Sequence, residues 1–114
     1  MAYSVLLHGH DAVLLDTRRM VLEVQGFEVL SSMQESTVLK ALVSRRIDLL
    51  ILCHTLSKEE CDHLLDSAKR YQPAMKRLVL YLGYPACGIH EEGILSALEG
   101  PAAFAHTVNH LLAA

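Results

Sequence analysis

The segment Ile47–Cys53, "IDLLILC", constrains the fold more than any other part of the chain. A nearly unbroken apolar run of this length, with no alternation, is the pattern of a strand buried on both faces. A strand of that kind needs a layer of helices on each side, which points to a parallel sheet joined by helical crossovers. Length and composition agree with this. The 114 residues, 52% hydrophobic and 20% charged, suffice for one well-covered core and are read as one domain, residues 1–114.

The flanking sequence supplies the crossovers. "YSVLLHG" (Tyr3–Gly9) is a strand candidate, and Asp11–Gln25 follows as a helix that Gly26 stops. "FEVLSS" (Phe27–Ser32) is the second strand. Ser32 and Glu35 have capping-box spacing before a helix with Val38, Ala41 and Leu42 on one face. Ser57-Lys-Glu-Glu60 is a second such box, opening a helix whose Cys61, Leu64, Leu65 and Ala68 share a side.

"RLVLYLG" (Arg77–Gly83) is the fourth strand. "YPACGIHEEG" leaves room for one or two helical turns before a short strand around Ile94–Leu98. Gly100-Pro101 then opens the last helix, with Phe104, Val108, Leu111 and Leu112 facing inward. In such sheets ligands bind outside the carboxyl ends of the strands, where strand order switches. That draws attention to His8–Asp11, Cys53–Ser57, Leu82–Tyr84 and Glu99–Pro101.

Several functional classes are disfavoured by what the chain lacks. A formal charge of −3 gives no basic footprint for nucleic acid. No apolar run approaches the roughly 20 residues needed to span a bilayer, and no signal peptide is evident. Cys53, Cys61 and Cys87, odd in number and without a CxxC pair, speak against a disulfide framework and for a reducing cytoplasm.

Over essentially its whole length the chain resembles the receiver domain of bacterial two-component response regulators, the CheY-like domains. "VLLHGHD" stands where that family has a strand followed by acidic residues, and "MVLEVQGFEV" resembles its helix end, Gly-aromatic turn and second strand. "RRIDLLILC" resembles its "xxPDLVLLD" segment, and "GP" before a helix resembles its "KP". The resemblance implies a flavodoxin-like (βα)5 three-layer sandwich with a central five-stranded parallel sheet and, here, a shortened fourth helix.

Receiver chemistry requires an acceptor aspartate, an acidic pair holding Mg²⁺, a Thr or Ser ending strand four, and a lysine before the last helix. In register these positions are Cys53, Gly9 with His10, Leu82 and Gly100, and Asp11 follows the pair. The switch aromatic of strand five falls near Ala97. Mg²⁺ wants oxygen ligands in octahedral array. Without it and the lysine, nothing neutralises the charge spread over a transferring phosphoryl group.

The expectation is a degenerate, stand-alone receiver-like domain without Asp phosphorylation, not an enzyme and needing no cofactor. It would act in the cytoplasm as an interaction module toward a protein partner, whether a histidine kinase, another receiver or a second copy in a homodimer.

The replaced residues suggest a competing chemistry. His8, His10, Asp11, Cys53 and His54 approach one sheet edge, and imidazole with thiolate suits zinc, with Asp11, His10, Cys53 and His54 the candidate ligands. Cys53 with His10 or His54 is also a candidate thiol sensor. Against both, strand alternation would send Cys53 and His54 in opposite directions, and free cysteine usually behaves as a small buried hydrophobe. Tyr84, Cys87, His90, Glu91 and Glu92 in one loop, and His106 and His110 one turn apart, have plainer readings as a solvated turn and a solvated helix face.

Overall fold

The computed structural model describes residues 2–83 and 93–113. The elements run β1 (Ser4–His8), α1 (Ala12–Val24), β2 (Glu28–Ser32), α2 (Glu35–Ser44), β3 (Leu49–Leu52), α3 (Lys58–Tyr71), β4 (Lys76–Tyr81), β5 (Gly93–Ser96) and α4 (Gly100–Ala113). All five strands lie in one sheet of order β2-β1-β3-β4-β5, and every pairing is parallel. The expected five-stranded α/β sandwich is present. The short helix expected after β4 falls outside the described residues.

Two cores flank the sheet. On one face α2 and α3 bury Val38, Leu42, Leu64 and Ala68 against Leu6, Leu50 and Leu52. On the other, α1 and α4 bury Leu15, Leu22, Phe104 and Val108 against Val5, Leu7, Leu49 and Ile51. Residues of β3 alternate between these cores, and all four of its residues are fully buried. That accounts for the unbroken apolar run: both faces of the strand are covered, so neither can be polar.

Helix starts differ in how they are sealed. Ser57 caps α3 as expected: its hydroxyl accepts from Glu60 N while Glu60 Oε1 accepts from Ser57 N. The box expected at Ser32 and Glu35 does not form. Ser32 ends β2 and its hydroxyl bonds both backbone groups of Gln34, so α2 begins at Glu35 with no side-chain cap. A serine still held in the sheet satisfies the nearest backbone instead of reaching three residues ahead.

Cysteine pairing also differs from expectation. Cys61 is disulfide-bonded, whereas Cys53 is a free thiol. An odd count forbids a complete framework but not a single pair.

Candidate functional site

β1 lies between β2 and β3, so the chain leaves it in opposite directions on its two sides. The carboxyl ends of β1 and β3 therefore border the switch point. This edge is closed by packing. Gly9 is buried, and a Cβ placed on it would lie 2.8 Å from Cys53 Cβ and 2.9 Å from Thr55 Oγ1. The amide of Cys53 donates to His8 O at 2.9 Å, drawing the start of the β3–α3 loop onto β1. Glycine is required at position 9 by space, since the approach leaves no volume for any side chain.

The next two residues are committed to local structure. His10 N donates to Thr55 Oγ1 at 2.8 Å, and His10 Nε2 meets Glu60 Oε2 at 2.7 Å. Glu60 thus serves the α3 capping box and His10 together. Its carboxyl is held below the usual range, first by the Ser57 amide and then by His10. Asp11 is the N-cap of α1, and its Oδ1 accepts from Val13 N at 3.0 Å and Leu14 N at 3.1 Å. Asp11, which follows the positions expected for the acidic pair, is engaged as a helix cap.

Cys53 sits just past β3, only 4% exposed, with its side chain in the α1–α4 core. Burial pushes its thiol pKa up, and the Arg18 guanidinium beside it opposes the rise. His54 is half-buried. Its pKa is lowered by burial and by Arg18, while Asp11 works the other way. Strand alternation was expected to part Cys53 from His54, yet both lie in the field of Arg18.

That arrangement leaves little room for the sensor chemistry. A reactive thiol needs exposure and a lowered pKa, and Cys53 has neither. Among the described residues no group of three or more His, Cys, Asp or Glu is arranged to hold a metal ion.

The β4–β5 side is open by contrast. Leu82, at the hydroxyl position, is 54% exposed and edges a cavity of about 110 Å³ that Cys53, His54, Ser57 and Lys58 also line. Gly100, at the lysine position, has φ +87° and nothing within 4 Å of where its Cβ would be. Ala97, at the aromatic position, follows β5 and donates its amide to Tyr81 O at 2.7 Å.

Sequence reasoning missed Arg18 and did not foresee the contacts made by His8, Thr55 and Glu60. Arg18 lies between Leu15 and Leu22 on the inward stripe of α1, and a cation at that spacing was the available signal. His8 is fully buried and holds Ser32 O through Nδ1 at 2.8 Å, leaving Nε2 buried without a partner. Thr55 and Glu60 gave no signal, because their contacts with His10 span 45 and 50 residues. His106 and His110 stack with ring centroids 6.5 Å apart on α4.

The fold is similar to that of receiver domains of known structure. It superposes on a CheY-like response regulator receiver domain protein from Methanospirillum hungatei with TM-score 0.87 at 19% identity, covering 99% of this chain and 95% of that one. A response regulator from Thermotoga maritima matches with TM-score 0.86 at 16% identity over 100% of both chains. A response regulator receiver protein from Sinorhizobium medicae matches with TM-score 0.85 at 19% identity, covering 99% of this chain and 96% of that one. The chain has the flavodoxin-like receiver fold. No protein-family model and no curated protein sequence matches it.

Proposed function

We propose that the chain is a receiver-like domain without aspartyl phosphorylation, working as a non-enzymatic protein-interaction module in two-component-type signal transduction. The observation that carries this reading is the closure at Gly9. In the family's register an acidic residue belongs there, beside an acceptor aspartate at position 53. Here any side chain at position 9 would collide with Cys53 and Thr55.

Three further positions support it. Asp11 caps a helix, Leu82 offers no hydroxyl to a phosphate oxygen, and Gly100 has no ammonium group to pair with one. The scaffold is retained while the residues for charge neutralisation are not. A domain of this kind acts through contacts, and a histidine kinase, another receiver or a second copy is the partner class the fold suggests. Exposed Val13, Met20 and Val24 on α1 supply apolar surface for such a contact. No helix among the described residues is long and apolar enough to cross a membrane; we assign the module to the cytoplasm on its likeness to receiver domains, with the Cys61 disulfide as the observation against that assignment.

The test is intact mass after incubation with Mg²⁺ and acetyl phosphate. The expected result is an unchanged mass. A phosphoryl adduct released by hydroxylamine would show a working acceptor carboxylate and overturn the reading.

A further inference from the structure

A second cavity lies on the opposite side of Cys53 from the α3 helix, between α1 and α4. Its volume is about 190 Å³, and its walls come from Leu14, Val21, Leu80, Leu95 and Phe104. Arg18, half-buried and hydrogen-bonded to Cys53, provides the charge in this apolar lining, and of its guanidinium Nη1 alone is buried with no hydrogen-bond partner. A buried guanidinium N–H without an acceptor is costly and rarely left so.

Gly100 borders the cavity, and a Cβ there would meet nothing within 4 Å. Ser96 is on the wall as well. Its Oγ accepts from Leu98 N at 3.2 Å, so the hydroxyl proton is left to donate.

From this geometry we infer a binding site for a small organic acid, with its apolar body against Leu80, Leu95 and Phe104 and its carboxylate on Arg18. Charge selects the head group: guanidinium binds carboxylate in a planar, two-pronged fashion that a neutral amide or alcohol does not reproduce. Size selects the body. A cavity of about 150 Å³ lined by apolar side chains accommodates benzene, so this one takes a single ring or a comparably short branched chain. The site is separate from the closed β1–β3 edge and does not depend on the signalling reading. Because Arg18 also lies beside Cys53, an occupant would draw the guanidinium toward the cavity and be sensed at the tip of β3.

The test uses benzoate, with benzamide as the neutral ring of the same size, titrated into the full chain and followed by amide chemical shifts. Saturable shifts in residues 14–21 and 95–104 are expected, with benzamide at least about tenfold weaker, as the loss of a charged hydrogen bond implies. Arg18→Gln should weaken benzoate to the level of benzamide. Val21→Phe, which fills the cavity from α1, should abolish both. Should Val21→Phe fail to fold, the two-ligand comparison in the unmodified chain decides alone. Equal binding of the two rings, an absence of saturation into the millimolar range, or shifts confined to other surfaces would each overturn the proposal.

Discussion

The two halves of the sheet's carboxyl edge are built in opposite ways. At β1 and β3 the polar residues are tied to one another and the backbone, and Gly9 leaves no space. At β4 and β5 the corresponding positions, Leu82 and Gly100, open onto solvent and cavity. In the receiver arrangement these halves serve one phosphoryl group together. Here one half is filled by packing and the other is open. On the reading proposed above, a receiver-like scaffold without the chemistry need not keep an empty copy of the site, because each half settles into whatever its neighbours allow.

The contrast can be broken most directly by substitution on each side. Gly9→Asp should cost the most, roughly 1–3 kcal/mol from overpacking alone, with the desolvation of a buried carboxylate added to it. A urea unfolding midpoint indistinguishable from the parent would show that the closure is soft. Leu82→Thr, on the open side, should stay within about 0.5 kcal/mol. Gly100→Lys is intermediate: space is available, but a left-handed backbone disfavours a side chain by about 1–2 kcal/mol. A lysine at position 100 is thus opposed by conformation, where an acid at position 9 is opposed by volume.

Acid is expected to act on the closed half. His8 and His54 both have lowered pKa values in the folded chain, chiefly through burial. Between those values and about 6.5 the unfolded chain binds protons that the folded chain does not, so stability rises with pH across that window. It is fully present above about pH 6.5 and is lost as pH falls through the folded values. Unfolding midpoints measured from pH 7.5 down to 5 should fall, and His54→Gln should flatten part of the slope.

Two smaller effects refine the picture. Ser57→Ala removes half of the α3 capping box and should cost about 1 kcal/mol, read as a lower melting temperature. His10→Ala breaks a pair whose side chains are 43% and 35% exposed, so between about 0 and 1 kcal/mol is expected. A larger loss would mean that the bond from His10 to Glu60 holds the loop closed as much as Gly9 does.

Much of the architecture could be read from periodicity. Leu49–Leu52 has to be buried because nothing in it is polar, and Ser57 with Glu60 states its own cap. The element that failed, the cap at Ser32, failed because a serine inside a strand has nearer backbone to bond. The site was legible only as a set of positions. That Gly9 touches Cys53 follows from two strands lying side by side, a relation periodicity does not encode. Arg18 was visible as a misplaced cation on an apolar stripe, but its two neighbours on β3's exit were not.

The uniform direction of the strands has a consequence for how the chain acquires its shape. No pair in this sheet can be closed by a tight turn, so each pairing must wait for a helical crossover to be made. β1 and β2 are adjacent in sequence and in space, and they pair as soon as α1 lies down. The other edge of β1, with Val5, Leu6 and Leu7, stays bare until β3 arrives some forty residues later in the chain. During synthesis that edge is an open template for any extended segment. At roughly 5–20 residues per second the intervening segment takes seconds to emerge, far longer than a helix takes to form, so the pace of synthesis decides how long the nascent chain is exposed to mispairing.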